Sequence, residues 1–491
     1  MRSIRLPIAL LATGALVGVA APAAVAANEP TTAPIAGGTG EPSLVTTSFD
    51  LATVGYEKTE YSLEGDAIAY ASDTPLTADG KWNVRPTDEP APYKTRILVY
   101  RPIDPADFSG TVFVEWLNVS AGFDTSPDWN LAHNQILRSG AAWVGVSAQA
   151  VGVIGGGQAV GGQSSTGIKG GDPERYGTLE HPGDSYSYDI YSQAGTAVRG
   201  TSPDDPLGGL EAKHVIAIGE SQSAFRMVTY IDAVQPVAEV YDGFLVHSRG
   251  SNGAALVQSP LPSINPPDAT RIRSDLDVPV LTFQTETDLR FGHFSPRQAD
   301  SKTFRLWEVA GTSHADSYTA QIGFGDTGDG TAEVKLLDLA NAGGGPLGCA
   351  VPINAGPQYA VLQAALFHLE AWVADGVAPP RAPRLRLEPG LPSVIARDAN
   401  DIALGGIRTP LVDAPNATLR GDGNSGGERF CQLFGTTVPL SDAVLADLYA
   451  SHDDYVTKFT KMTAAAVKAG FLLGPEADNL NAAAEASTVG G

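Results

Sequence analysis

The sequence predicts an α/β fold built on a mostly parallel sheet that helices cover on both faces. Two observations support this prediction. Apolar runs of strand length, as at 112–117 and 142–147, alternate along the chain with stretches of helical periodicity. In addition, the strand-like run at 215–218 reaches a glycine and passes through a tight turn into a helix-like segment. Continuous apolar strands separated by helices are typical of parallel sheets that are buried on both faces.

The elements can be assigned in chain order from these patterns. Residues 49–105 alternate apolar and polar positions in short runs, which predicts antiparallel strands at the start of the sheet. Further strands are predicted at 112–117, 142–147, 215–218, 240–246, 278–284 and 304–309. Helices are predicted at 128–138, 185–194, 224–230, 358–374 and 441–487.

The N-terminus has the pattern of a secretory signal. Arg2 and Arg5 precede a short apolar run, and an Ala-x-Ala cleavage site ends at residue 26. The apolar run is bounded by Pro22 and lacks a charged stop-transfer flank, which favours a cleaved signal over a membrane anchor. We therefore expect a signal peptide at 1–26 and an exported chain with no membrane span in its mature form.

The remainder of the chain is interpreted as a lead-in at 27–46 followed by one elaborated domain at 47–480. The lead-in is rich in Pro, Thr, Gly and Ala, a composition typical of mobile segments. Long loop segments at 151–185 and 251–276 follow predicted strands, so we expect them to form pocket walls or a lid. Residues 381–480 are expected to form a C-terminal elaboration of the same domain.

Composition excludes several partners. A formal net charge of −23 opposes binding to nucleic acid or to an anionic membrane surface, because both require a basic face. The glycines at 155–157 lack the strand and helix spacing of a phosphate-binding loop, and no Cys/His cluster has metal-ligand spacing. We therefore expect no metal and no cofactor, and a small molecule as the partner.

The 2 cysteines, Cys349 and Cys431, form a pairable number. Export would bring them into an oxidising compartment, where such a pair is expected to form a disulfide. A catalytic thiol is the poorer interpretation, since neither cysteine follows a strand end near a histidine.

The turn after the strand at 215–218 has the pattern of a nucleophile elbow. Gly219 and Ser223 are the small residues that a tight turn between strand and helix requires, and Ser221 lies at its tip. This position would expose the Ser221 hydroxyl and would direct the N–H of Gln222 toward a developing oxyanion. The usual second glycine of the motif is replaced here by Ser223.

An acid and a histidine follow in the order that a Ser-acid-His triad requires. The strand at 278–284 leads into Glu286 and Asp288, either of which could orient a histidine, and we favour Asp288 over the alternative acid Glu286. The strand at 304–309 leads into His314, the predicted base.

Neighbouring strand ends complete the predicted site. The loop after the strand at 112–117 would supply the second oxyanion donor, from the backbone N–H of Val119 or from the Asn118 position. His247, which also ends a strand, and Trp116 are predicted to line the substrate pocket.

These segments together resemble the α/β-hydrolases, and in particular a family of secreted bacterial α/β-hydrolase domains of similar length. The resemblance extends from about residue 40 to 480 and rests on the segments 115–120, 143–149, 219–223, 285–288, 309–316 and 405–410. It implies an α/β-hydrolase fold with a Ser-His-acid site, and the serine at position 223 belongs to the family pattern.

The sequence thus predicts an exported serine hydrolase that cleaves carboxylic esters through an acyl-enzyme intermediate. An acyltransferase or amidase with the same triad remains an alternative, because the triad is common to all three activities. A non-catalytic exported binding protein that keeps the fold is the alternative from a different class.

Overall fold

The computed structural model describes residues 29–157, 164–200, 205–338, 348–426 and 429–490. The signal peptide expected at 1–26 therefore lies outside the described residues. Within these ranges, a nine-stranded sheet forms the centre of the molecule. Its strands in chain order are β1 Thr31–Pro34, β2 Tyr56–Ala67, β3 Ala91–Pro102, β4 Thr111–Trp116, β5 Ala142–Val146, β6 His214–Glu220, β7 Gly243–His247, β8 Val280–Gln284 and β9 Phe304–Glu308.

The spatial order of the strands is β1-β2-β3-β5-β4-β6-β7-β8-β9. The pairs β1/β2, β2/β3 and β3/β5 are antiparallel, and every later pair is parallel. The predicted mostly parallel sheet is thus confirmed, with its antiparallel strands at the start as expected. Because β4 and β6 to β9 run in the same direction, the loops that follow them meet at one edge of the sheet.

Helices lie on both faces of this sheet. The longer ones are α1 Pro127–Arg138, α2 Ser187–Ala197, α3 Gln222–Thr229, α4 Thr331–Leu337, α5 Gln358–Asp375, α6 Asp442–Leu448, α7 His452–Ala469 and α8 Gly474–Ala486. The predicted helix at 441–487 is therefore three helices. Gly470 ends α7 in a left-handed conformation with φ 80°, and Pro475 lies in the first turn of α8, so one continuous helix cannot form here.

Alternation along the strands divides the apolar side chains between two cores. Leu98 and Tyr100 of β3 face the core that contains α1, α5 and α7, whereas Ile97 and Val99 face the core that contains α2 and α3. Successive residues of a strand point to opposite faces, so an apolar run fills both cores at once. No helix among the described residues is both long enough and apolar enough to cross a membrane.

Part of the segment expected to be a mobile lead-in is instead ordered. Residues 31–34 form the edge strand β1 and pair antiparallel with β2, for example Thr32 with Leu63. Farther along, the N–H of Ser43 donates to the Tyr176 hydroxyl over 2.9 Å. Composition alone did not indicate these partners, because they lie elsewhere in the sequence.

Candidate active site

Ser221 lies between the end of β6 and the start of α3, at the tip of a strained turn. Its backbone has φ 57° and ψ −117°, a conformation that residues other than glycine rarely adopt. The turn is closely packed, since a Cβ added at Gly219 would lie 3.2 Å from Ser223 Cβ and 3.1 Å from Met227 Cγ. Small residues at 219 and 223 are therefore what allows strand and helix to approach each other here.

A chain of short hydrogen bonds joins Ser221, His314 and Asp288. The Ser221 hydroxyl lies 2.7 Å from His314 Nε2, and His314 Nδ1 lies 2.7 Å from Asp288 Oδ1. The other carboxylate oxygen, Asp288 Oδ2, accepts hydrogen bonds from the N–H and the hydroxyl of Thr285, both over 2.7 Å. Asp288 follows β8 and His314 follows β9, so the two neighbouring parallel strands bring these side chains together.

Glu286, the alternative acid, does not reach His314. Its carboxylate accepts hydrogen bonds from the N–H of Gly311 at 2.7 Å and of Gly421 at 3.1 Å, and it forms an ion pair with Arg397 at 2.8 Å. In an extended segment, residues two apart would face the same way, and either carboxylate could approach the histidine. Residues 286–288 instead form a helical turn, so Glu286 and Asp288 point to different sides.

Glu220, immediately before the serine, is a member of the site that the sequence argument did not single out. Its Oε1 lies 3.2 Å from His314 Nε2, the same nitrogen that faces Ser221. Burial raises the pKa of Glu220 to about 7, although the nearby histidines 314 and 247 oppose the shift. Burial alone would lower the pKa of His314, but Glu220 and Asp288 outweigh it and raise that pKa to about 9.

The two positions proposed as oxyanion donors in the loop after β4 differ in whether their main-chain N–H groups are free to donate. The main-chain N–H of Asn118 donates to Thr125 O over 2.9 Å, so it is already occupied. The Asn118 side chain instead donates to the main-chain oxygen of Glu220 over 3.0 Å, which joins this loop to the turn. Within the described part of the chain, the N–H groups of Val119 and Gln222 have no hydrogen-bond acceptor.

His247 does not line the pocket, contrary to the sequence prediction. It is fully buried, with Nδ1 2.7 Å from Asp128 Oδ1 and Nε2 3.1 Å from the amide nitrogen of Gln358. Its main-chain oxygen accepts a hydrogen bond from the Ser221 N–H over 2.9 Å. The main chain of His247 therefore supports the turn at Ser221, because β7 lies beside β6. The His247 side chain is buried in the core.

Trp116, the other predicted pocket residue, is also buried in the core. Its indole N–H donates to Gln149 Oε1 over 3.0 Å, and its ring packs on Tyr188 and Tyr191. Trp116 does end strand β4, but alternation along the strand directs its side chain to the face covered by α2.

A pocket with a volume of about 460 Å³ opens above Ser221 and His314. Its apolar wall comes from Val45, Ala121, Leu131, Phe225, Phe291, Ala315, Phe324, Phe430, Leu433 and Phe434. None of the described residues at 151–185 or 251–276 lines this pocket, and residues 158–163 of the first segment lie outside the described residues. The aromatic wall comes from the elbow helix, from the segments after Asp288 and after His314, and from the C-terminal part of the chain.

The predicted disulfide is confirmed and lies beside this wall. Cys349 and Cys431 are bonded, with 5.4 Å between their Cα atoms. The short helix Arg429–Leu433 contains Cys431 and carries Phe430 and Leu433, both of which line the pocket. The disulfide therefore fixes one pocket wall to the distant segment around residue 349.

Among the described residues, no three His, Cys, Asp or Glu side chains are grouped so that they could hold a metal ion.

The parallel sheet, the strained turn and the strand-end residues together define an α/β-hydrolase. The alpha/beta hydrolase domain family matches residues 31–482, so the chain belongs to this family. No curated protein sequence matches the chain.

Several solved structures are similar to this chain at low identity. An acetyl xylan esterase from Thermoanaerobacterium sp. JW/SL YS485 is 13% identical over 45% of this chain and 53% of its own, with a TM-score of 0.24. A fungal esterase from Rhizomucor miehei is 11% identical over 64% of this chain and 85% of its own, with a TM-score of 0.32. A serine hydrolase without a lid from Xanthomonas campestris is 13% identical over 51% of this chain and 85% of its own, with a TM-score of 0.27.

Proposed function

We propose that the protein is an exported serine hydrolase that cleaves carboxylic esters through an acyl-enzyme intermediate. The observation that carries this proposal is the hydrogen-bond chain from Ser221 through His314 to Asp288, with 2.7 Å at each step, at the base of an open pocket. A serine hydroxyl is unreactive at neutral pH unless a base takes its proton, and this arrangement provides that base.

In the first half of the reaction, the Ser221 oxygen attacks the acyl carbon of the ester. Its proton moves to His314 Nε2, and the negative charge of Asp288 stabilises the imidazolium that forms. The N–H groups of Gln222 and Val119 donate to the oxyanion of the tetrahedral intermediate. The intermediate collapses as the C–O bond to the alcohol breaks, and His314 gives its proton to the leaving oxygen.

In the second half, water replaces the alcohol. His314 takes a proton from the water as the water oxygen attacks the acyl carbon of the Ser221 ester. Collapse of the second intermediate breaks the bond to Ser221, which recovers its proton from His314, and the carboxylic acid leaves. Ser221 and His314 thus regain their starting protonation states, the alcohol carries away the proton that Ser221 lost, and water supplies the proton that Ser221 recovers.

The pocket wall favours an ester with an apolar group. Phe225, Phe324 and Phe434 contribute rings to a pocket within the usual volume range of small-molecule sites, about 300–1,000 Å³. Burial of apolar surface there would stabilise bound substrate by about 25 cal/mol per Å². We therefore expect catalytic efficiency to rise with the apolar length of the acyl or alcohol group until the pocket is full.

The proposal is tested by hydrolysis of a series of nitrophenyl esters with increasing acyl length. We expect release of nitrophenol by the wild type and at least a thousandfold loss, by an order-of-magnitude estimate, in Ser221→Ala and His314→Ala. Product analysis with added alcohol or amine separates hydrolysis from acyl transfer, and amide substrates test the amidase alternative. A well-folded wild type without turnover on any of these substrates would support the binding-protein alternative.

We also propose export. The sequence pattern at residues 1–26 and the disulfide between Cys349 and Cys431 both support an oxidising compartment. Expression in a secreting bacterial host should deliver protein to the medium or periplasm with Ala27 as its first residue. N-terminal sequencing of that material checks the cleavage site, and retention of uncleaved protein in the membrane fraction would contradict the proposal.

A further inference from the structure

The side chain of Glu220 occupies a place that the proposed mechanism does not yet use. Its Oε1 lies 3.2 Å from His314 Nε2, and the side chain is almost completely buried. Nε2 is the nitrogen that must receive the Ser221 proton and pass it to the leaving group. A carboxylate at this distance therefore faces the reacting nitrogen itself, whereas Asp288 faces the other side of the ring.

The position of Glu220 is held from two directions. Its backbone belongs to the strained turn at Ser221, so it cannot move without moving the nucleophile. Its side chain accepts a hydrogen bond from Asn118 Nδ2 at 3.3 Å, and the same amide donates to the Glu220 main-chain oxygen at 3.0 Å. Asn118 in turn accepts a hydrogen bond from the Ser120 N–H over 2.8 Å. The carboxylate is thus fixed to both the elbow and the loop after β4.

We propose that Glu220 is a positioning residue that acts as a second carboxylate on His314, holding the imidazole toward Ser221 and stabilising its protonated form during acyl transfer. Glu220 takes no proton in the step itself. The proton moves from the Ser221 oxygen to His314 Nε2 and then to the leaving oxygen, while the charge of Glu220 lowers the free energy of the intermediate imidazolium. This inference rests on the proposed function, because it assigns a role within the same proton transfer.

The electrostatic surroundings support this role. The charged and titratable groups that face Glu220 are His314, His247 at the end of β7, Asp128 on α1, and Asp288 after β8. The two histidines favour the ionised carboxylate, whereas burial and the two aspartates oppose it. His314 itself faces only Glu220 and Asp288 among these carboxylates, and both favour its charged form.

The test compares pH profiles of kcat/KM for wild type and Glu220→Gln on one nitrophenyl ester. Only neutral His314 can act as base, so wild-type activity should rise with pH up to the pKa of His314, about 9. Loss of the Glu220 charge lowers that pKa, so the acidic limb should move to lower pH by about one unit. The plateau value of kcat/KM should fall about tenfold, because the imidazolium loses a counter-charge.

Glu333→Gln is the matched control. Burial raises the pKa of Glu333 to about 7, as for Glu220, and its carboxylate accepts a hydrogen bond from the Tyr359 hydroxyl over 2.9 Å. It does not line the pocket. This variant removes a buried carboxyl group with a similarly raised pKa that does not act on His314. It should therefore leave the pH profile of kcat/KM unchanged. An acidic limb in Glu220→Gln that coincides with that of the wild type would overturn the proposal.

A second measurement needs no variant at Glu220 and covers the case in which Glu220→Gln does not fold. The ring nitrogens of His314, assigned with His314→Ala, are followed by NMR across pH in the wild type. We expect a minor step at the pKa of Glu220, about 7, before the main step at about 9, because the two groups interact. A single step would contradict the proposal. Covalent labelling of Ser221 by a fluorophosphonate tests the proposed function separately. Absence of labelling would contradict the proposed function, whereas normal labelling with a single titration step would contradict only the role of Glu220.

Discussion

At the residue scale, the identity of the acid depends on a conformation that the sequence does not display. Glu286 and Asp288 both carry a carboxylate and both follow the predicted strand end closely. The capping box at Thr285 starts a helical turn, which directs Asp288 toward His314 and Glu286 toward Arg397. Order along the chain could therefore identify the pair of candidates, but only the backbone geometry separates them.

The role of Asp288 leads to a prediction with a matched control. Asp288→Asn should lower kcat by about 10⁴, because the amide favours the wrong imidazole tautomer and provides no charge. Asp316 is also buried and lies two residues from His314, but its carboxylate accepts from the N–H and hydroxyl of Thr319. Asp316→Asn should therefore keep kcat near the wild-type value. Steady-state kinetics check both, and equal losses in the two variants would contradict the assignment.

At the element scale, the strands and the long helices could be predicted, while the pocket could not. The apolar runs that became β4, β6, β8 and β9 are local signals, and each was found within a few residues of its observed bounds. The pocket wall brings together residues such as Phe225, Phe324 and Phe434 that are far apart in sequence. Their proximity results from tertiary packing, which periodicity does not report. For the same reason, the burial of Trp116 and His247 could not be foreseen.

The aromatic wall gives a prediction about substrate selection. Phe434→Ala should lower kcat/KM for a longer apolar ester by about tenfold and should change acetate hydrolysis much less, because only the longer acyl group reaches the wall. Phe367 is an exposed phenylalanine on α5 that does not line the pocket. Phe367→Ala is therefore the control and should leave both rates unchanged. An equal loss on both esters in Phe434→Ala would indicate a general folding defect instead.

The disulfide gives a second prediction at this scale. Its cysteines are 82 residues apart in sequence, and closing a loop of this size stabilises the fold by about 4 kcal/mol. The double variant Cys349→Ser/Cys431→Ser should therefore unfold at lower temperature and show a higher KM for apolar esters, because the wall at Phe430 and Leu433 is released. Calorimetry and steady-state kinetics measure the two effects. An unchanged KM would mean that the wall keeps its place without the disulfide.

At the scale of the whole molecule, we propose that residues 47–480 form one catalytic unit. The segment after residue 380 contacts the site directly: Gly421 O accepts a hydrogen bond from the Thr287 hydroxyl, which in turn accepts from the His314 N–H. Helices α7 and α8 add side chains to the core that contains α5. The C-terminal elaboration therefore belongs to the support of His314 as well as to the pocket wall.

This unity is tested by truncation. A chain that ends at residue 380 should lose ester hydrolysis, because the Arg397 partner of Glu286 and the Gly421 contact are both removed. Activity and far-UV circular dichroism are measured together on the purified protein. A folded, fully active truncated chain would show that the C-terminal part is independent of the site.

The most direct test of the central claim, that Ser221 is a nucleophile activated by His314, is covalent labelling by a fluorophosphonate read by intact mass. We expect one adduct on the wild type and none on Ser221→Ala or His314→Ala, with all three proteins folded. Asp316→Asn serves as a control and should label like the wild type. A folded wild type that remains unlabelled, or a Ser221→Ala variant that labels equally well, would contradict the account.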